Sequence, residues 1–179
     1  LSNGYWVVKQ HPVTNGYKDS RKHVEATLQP AALKRNVPVL WFWPNVDAGS
    51  DGTSTGIRAF REKYDVEHVH FFKNMQGNDF LNLLDQSEGL IGNSSVGIRE
   101  CAYLGVPVIN IGSRQNRRQR GKNVMDVNYS TQEITQAMNQ IQSNPRPTPA
   151  TIYGEGDAGE KIAAVLAKVE LKFHKTIVY

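Results

Sequence analysis

Short runs of β-branched and aromatic residues alternate with longer stretches of helical periodicity, and this alternation restricts the fold more than any single motif. Tyr5-Trp6-Val7-Val8-Lys9-Gln10 reads as a strand ending at His11-Pro12. A helix follows over 20–35, with Ser20 as its cap and Val24, Leu28 and Leu33 on one face. Val37-Pro38-Val39-Leu40-Trp41-Phe42-Trp43 is apolar at every position, the pattern of a parallel strand buried on both faces, and Pro44 stops it. A glycine-rich turn then leads to a helix over 55–64 and a strand over 66–72. Phe80, Leu81, Leu83 and Leu84 make an amphipathic helix of 78–86. The short strand Gly89-Leu90-Ile91-Gly92 runs into Asn93-Ser94-Ser95 and one helix through Leu104, which Gly105 ends with a positive φ. Strands over 107–111 and 123–127 follow, then a helix over 130–142 opened by a Ser130/Glu133 capping box. An exposed proline-rich stretch spans 143–151 and a last helix 157–168. Residues 172–179 fit none of these patterns.

Six strands alternating with helices imply right-handed crossovers and an α/β fold, a doubly wound, mostly parallel, six-stranded Rossmann-like sheet. At 179 residues the chain falls within the ~100–200 typical of one domain, so residues 1–179 are expected to form a single unit. The opening Leu1-Ser2-Asn3-Gly4 has neither an initiator methionine nor a basic-then-apolar leader, and suggests a piece of something longer.

Apolar residues at 39% and charged residues at 21% are ordinary globular values and exclude a disordered chain. The single cysteine, Cys101, cannot form an internal disulfide or a Cys-based zinc site, which favours a reducing compartment; the cytoplasm is expected. The longest strongly apolar run is far short of the ~20 residues that span a bilayer, so no membrane partner is expected. Net charge is a modest +4, yet Arg114, Arg117, Arg118, Arg120 and Lys122 crowd into one stretch. That stretch carries no aromatic for base stacking and forms no basic helix, which argues against nucleic acid and leaves anion binding open. No metal and no cofactor is expected: the histidines lack ligand spacing, and neither a Gly-x-Ser-x-Gly elbow nor a Gly-x-Gly-x-x-Gly turn occurs.

In doubly wound sheets ligands sit outside the carboxyl ends of the strands. The loops there carry His11-Pro12-Val13-Thr14, Pro44-Asn45-Val46-Asp47, Lys73-Asn74-Met75, Asn93-Ser94-Ser95 and Gly112-Ser113-Arg114, five polar strand ends on one rim. Small hydroxyl residues at a helix start offer backbone N–H groups beside the positive end of the dipole, which suits a phosphate, although a simple helix cap would use the same residues. Glu100, further along, has the chemistry to accept two hydrogen bonds from a ribose diol or to form a surface ion pair.

With those residues in view, the chain resembles the UDP-N-acetylglucosamine 2-epimerases, specifically their carboxyl-terminal domain. His11-Pro12-Val13-Thr14, Pro44-Asn45-Val46-Asp47-Ala48-Gly49-Ser50, Gly92-Asn93-Ser94-Ser95-x-Gly97-x-Arg99-Glu100, Gly105-x-Pro107-Val108-Ile109-Asn110-x-Gly112-x-Arg114 and Gly121-Lys122-Asn123-Val124 match in order, over roughly residues 5–165. The His-Pro-Val-Thr form resembles the hydrolysing branch, which feeds sialic-acid-type sugar synthesis; non-hydrolysing members usually carry His-Arg-Arg-Glu-Asn there.

The resemblance implies the carboxyl-terminal half of a two-domain fold of the glycosyltransferase-B type, with UDP and UDP-N-acetylglucosamine as ligands. It also implies an amino-terminal domain of the same enzyme as partner, absent from this chain; a homo-oligomer is expected. Carried onto this sequence, Ser94 and Ser95 would bind the diphosphate and Glu100 the ribose hydroxyls. Arg114 and His11 would face the phosphates, His11 as the catalytic member. Asn45 would line the cleft, and backbone near Met75 would read the uracil. The family reaction removes the C2 proton as UDP leaves C1, forming a glycal to which water adds, giving N-acetylmannosamine and UDP; the carboxylates for C2 come largely from the amino-terminal domain. Animal members inhibited by a CMP-linked sialic acid carry a lysine directly after the Asp-Ala-Gly-Ser stretch, where this chain has Asp51. Arg117, Arg118 and Arg120 have no role in the resemblance. Beside the hydrolysing reading stand a non-hydrolysing 2-epimerase, a glycosyltransferase of the same two-domain type, and a non-catalytic nucleotide-sugar binding module.

Overall fold

The computed structural model describes residues 4–13, 18–35, 37–45, 49–64 and 66–170; Thr14, Val46-Asp47-Ala48 and residues 172–179 lie outside the described residues. In chain order the elements are β1 (Trp6–Lys9), α1 (Ser20–Leu33), β2 (Val39–Phe42), α2 (Ser50–Lys63), β3 (Val69–Phe72), α3 (Gly77–Asp85), β4 (Gly89–Gly92), α4 (Ser95–Ile98), α5 (Glu100–Leu104), β5 (Val108–Ile111), β6 (Val124–Val127), α6 (Thr131–Ser143) and α7 (Ala158–Leu166). Every strand pairing is parallel, in the order β3-β2-β1-β4-β5-β6. The chain winds outward from the β1/β4 junction in both directions, the doubly wound Rossmann-like arrangement that the alternation predicts.

Side chains along β1 alternate between two cores. Trp6 and Val8 pack with Val24 and Leu28 of α1, Ile57 of α2 and Met138 of α6. Tyr5 and Val7 pack with Leu84 of α3 and Cys101 of α5 on the other face. All four residues of β2 are buried, as its uninterrupted apolar run requires, whereas edge strand β6 has none fully buried. Each large side chain taken wholly out of water contributes ~1.5–3 kcal/mol, so the central strands carry most of the stabilisation.

Two helices break local rules for packing reasons. A Cβ on Gly56 of α2 would stand 2.5 Å from Val24 Cγ1, so the glycine lets α1 and α2 approach closely. Pro30 inside α1 lacks an N–H, which leaves the Ala26 carbonyl without its helical donor; the Thr131 hydroxyl shares its one proton between that carbonyl at 3.4 Å and Gln29 Oε1 at 3.0 Å.

Four local expectations need correction. Ser20 is not a cap: the chain enters α1 through a 3₁₀ turn at residues 18–19, so Ser20 is already helical and buried, and Asp19 holds the cap position. The second helix begins at Ser50 rather than near 55, because left-handed Gly49 (φ 90°) turns the chain and its carbonyl accepts from Thr53 N–H. The helix expected to run from Ser95 through Leu104 divides at Arg99 (φ −100°, ψ −70°) into α4 and α5. A Cβ on Gly97 would lie 2.9 Å from Val108 Cγ1, so the first turn is pressed onto the sheet and the axis must change before Cys101 and Ala102 can be buried. Ser130 caps α6 through Glu133 N–H as expected, but the Glu133 carboxylate reaches back to Asn128 N–H instead of Ser130. Gly105 ends α5 at φ 66°, as the sequence predicts.

Candidate functional site

Because all strands are parallel, the five polar strand-end loops lie on one edge of the sheet, and those after β1 and β4 meet at the point where the strand order reverses. Asn93 is the hub there. It is fully buried; its Oδ1 accepts from His11 N–H at 2.7 Å, and its Nδ2 donates to the His11 carbonyl at 2.8 Å. Its own carbonyl receives Gln115 Nε2 at 2.7 Å and Arg114 Nη1 at 3.1 Å from the loop after β5. A single side chain and its peptide thus fasten three strand ends together.

His11 is buried, and its Nδ1 accepts the Asn45 backbone N–H at 3.4 Å. A neutral imidazole accepting at Nδ1 carries its proton on Nε2, the form able to donate to an anionic oxygen. Ser94 is buried, stands at the cap position of α4 and makes no capping hydrogen bond. Neither the Ser94 nor the Ser95 hydroxyl is bonded to another described residue, so the simple capping role is not what these hydroxyls perform. The first N–H groups of α4 lack intrahelical acceptors by geometry. At four residues, however, α4 is too short for the macrodipole contribution expected of a long helix, and the donors themselves must supply the attraction.

Glu100 opens α5. Its Oε1 lies 3.3 Å from Arg99 Nη2, while its Oε2 is shielded from solvent without a hydrogen-bond partner among the described residues. The carboxylate faces a groove lined by Arg99, Tyr103, Tyr153 and Gly154. Met75 stands apart, on the loop after β3, packed against the core that holds Phe42 and Phe72. The structure therefore gathers His11, Asn45, Ser94, Ser95 and Arg114 around Asn93, while Glu100 stands at the start of α5 and Met75 on the loop after β3.

Sequence reasoning gave no individual role to Asn93 and overlooked Gln115 and Tyr129. Tyr129 stacks on His23 with ring centroids 3.7 Å apart, over Gly112, where a Cβ would come within 2.5 Å of the tyrosine ring. Burial raises the Tyr129 pKa and lowers that of His23. Contacts spanning more than a hundred residues leave no periodic trace; only the burial of Asn93 after an apolar strand was a usable signal. The basic loop also gains a partial account. Arg120 forms an ion pair with Asp126 at 2.6 Å and donates to the Arg118 carbonyl, while Asn110 Nδ2 holds the other Asp126 oxygen. Arg120 therefore ties its loop to β6. Arg117 adopts a left-handed φ of 66°.

The chain is similar to known proteins in sequence and in fold. A polypeptide 30% identical over 161 residues is the UDP-N,N'-diacetylbacillosamine 2-epimerase (hydrolyzing) of Legionella pneumophila; the match takes in 90% of this chain and 42% of that protein. The polysialic acid biosynthesis protein P7 of Escherichia coli is 32% identical over 140 residues, 78% of this chain and 35% of its own length. The chain thus spans less than half of these curated relatives. A crystal structure of UDP-GlcNAc 2-epimerase from Neisseria meningitidis bound to UDP-GlcNAc superposes with a TM-score of 0.73 at 18% identity, over 94% of this chain and 46% of that one. That likeness confirms the fold, which corresponds to one part of a longer architecture. The family model described as UDP-N-acetylglucosamine 2-epimerase matches residues 1–167, and the chain belongs to that family.

Proposed function

We propose that this chain is the UDP-binding domain of a hydrolysing UDP-N-acetylglucosamine 2-epimerase and works with an amino-terminal domain that supplies the C2 acid and base. The observation that carries the reading is a set of polar groups without partners among the described residues: the Ser94 and Ser95 hydroxyls at the start of α4 and the shielded Glu100 Oε2 at the start of α5. Ser94, Ser95 and the first N–H groups of α4 bind the diphosphate. Glu100 accepts hydrogen bonds from the ribose hydroxyls, Asn45 lines the cleft, and backbone near Met75 reads the uracil.

In the reaction, the bond from C1 to the UDP oxygen breaks as the C2 proton is removed, and negative charge grows on the diphosphate. Donors fixed in advance stabilise that charge more than they stabilise bound substrate, which is how they accelerate the step. The His11 imidazole and the Arg114 guanidinium serve this purpose, and Asn93 holds both in place. Water then adds to the glycal and releases N-acetylmannosamine. The His11-Pro12 sequence and the hydrolysing relative support hydrolysis over simple epimerisation. The reading extends to a cytoplasmic, homo-oligomeric enzyme of sialic-acid-type sugar synthesis.

The test offers UDP-N-acetylglucosamine and, separately, its diacetamido relative UDP-N,N'-diacetylbacillosamine to the chain alone and to the chain joined to its amino-terminal domain, in deuterated water. Free 2-epimerised sugar carrying deuterium at C2, together with UDP, is expected from the joined protein only. A 2-epimerised sugar still attached to UDP would establish the non-hydrolysing reaction, and no turnover of either compound would overturn the reading.

A further inference from the structure

β1 is buried and apolar until its last residue. Lys9 projects on the same face as Val7, is half-buried, and closes the register row Phe42–Lys9–Gly92 immediately before the junction of His11 and Asn93. Its Nζ lies 5.6 Å from the ring centroid of Phe42 and 5.6 Å from that of Phe80, two rings that meet edge to face at 4.8 Å. No carboxylate pairs with it among the described residues. Burial lowers its pKa from the ordinary 10.5. A half-buried ammonium without a counter-ion is unusual, because a desolvated charge ordinarily keeps a partner.

The face that Lys9 shares is the one on which α4 begins. Gly97 of α4 sits against Leu90 and Val108, and Val96, Met75 and Phe80 all pack on the same core as Val7. Lys9 and the start of α4 therefore lie on one face of the sheet, at the carboxyl ends of two adjacent strands.

We propose that Lys9 is an anion-binding residue of this site, its ammonium at the carboxyl end of β1 contacting the phosphates of a nucleoside diphosphate that lies across the β1/β4 junction. The inference rests on the UDP reading above and adds a group to it. The rings fix the long, flexible stem, so little side-chain freedom remains to be lost on binding. The alternative is a lysine that merely covers aromatic surface with its stem.

The two are separated by titrating the full chain with UDP and with uridine by calorimetry, for wild type, Lys9→Met and Lys9→Arg, at low and high salt. Methionine retains the stem and removes the charge. A charge-assisted contact to phosphate predicts that Lys9→Met loses roughly ten-fold or more in UDP affinity. Uridine affinity should be unchanged, Lys9→Arg should recover part of the loss, and the salt dependence of UDP binding should be shallower in the methionine variant. Equal UDP affinity in wild type and Lys9→Met, or an equal loss for UDP and uridine, overturns the proposal and leaves the UDP site standing. Failure of the wild-type chain to bind UDP overturns the reading of the site and this proposal with it.

Discussion

His11 and Asn93 exchange two hydrogen bonds, at 2.7 and 2.8 Å, across the carboxyl ends of β1 and β4, so one amide side chain closes the gap where the sheet reverses its winding. Strands in a parallel sheet stop exchanging hydrogen bonds where they end. Beyond that point, the buried backbone N–H and carbonyl of His11 turn to a side chain for partners. Asn93 supplies both, and its carbonyl gathers Arg114 and Gln115 from the neighbouring loop.

Asn93→Ala should therefore affect stability and binding together. It removes the two hydrogen bonds that Asn93 makes to the buried His11 backbone, and each costs ~1–3 kcal/mol to lose. A fall of several degrees in thermal midpoint is expected, together with weaker UDP binding in the molecules that remain folded. An unchanged midpoint would mean that water or a neighbouring group replaces the amide.

Ser95→Ala and Glu100→Gln should behave differently, since neither the Ser95 hydroxyl nor Glu100 Oε2 has a hydrogen-bond partner among the described residues. Each is expected to lower UDP affinity by roughly ten-fold, the effect of one lost charge-assisted hydrogen bond. Stability without ligand should stay within about 0.5 kcal/mol of wild type, as for a surface substitution. Calorimetry and thermal melts on the same samples check both halves. Unaltered affinity at unaltered stability would remove both residues from the site.

The sheet was legible because a buried parallel strand needs an unbroken apolar run, and 37–43 has one. The rim was legible for a related reason: polar residues directly after such runs can lie only on the carboxyl edge. The division of the helix at Arg99 was not, since it arises from Gly97 pressing on Val108, a residue of a different strand. Asn93 appeared only as one polar residue among three, because its reciprocal pairing with His11 depends on β1 and β4 being neighbours. Lys9 could have been singled out from the pattern alone, as a charge ending a strand that is otherwise apolar at its centre.

Arg117 offers a prediction about strain. Its φ of 66° is a conformation that costs a residue with a Cβ ~1–2 kcal/mol and a glycine almost nothing. Arg117→Gly should raise stability by ~0.5–1 kcal/mol, the relief being partly offset by the greater freedom of glycine in the unfolded chain. Arg117→Ala keeps the Cβ and should bring no such gain. Denaturant titrations of the three proteins decide the matter. Equal gains from glycine and alanine would point to relief of charge repulsion in the basic loop instead.

The stacked pair of His23 and Tyr129 gives the last prediction, a dependence of stability on pH. The His23 pKa is lowered from 6.5, chiefly because burial disfavours the charged ring; Lys22 lowers it further and Asp19 opposes both. The folded protein thus holds its proton less tightly than the unfolded chain does. Between the two pKa values the unfolded state binds more protons, so stability rises with pH there. The contribution is fully present above about 6.5, the ordinary histidine value, and is lost as pH falls through the lower folded value. Thermal midpoints should therefore drop between pH 7.5 and pH 5. His23→Gln, which cannot take up a proton, should flatten that drop while lowering the midpoint at pH 7.5 through loss of the ring stack at 3.7 Å. If His23→Gln and wild type lose the same stability over this range, the acid sensitivity belongs to other groups and the stack is not its source.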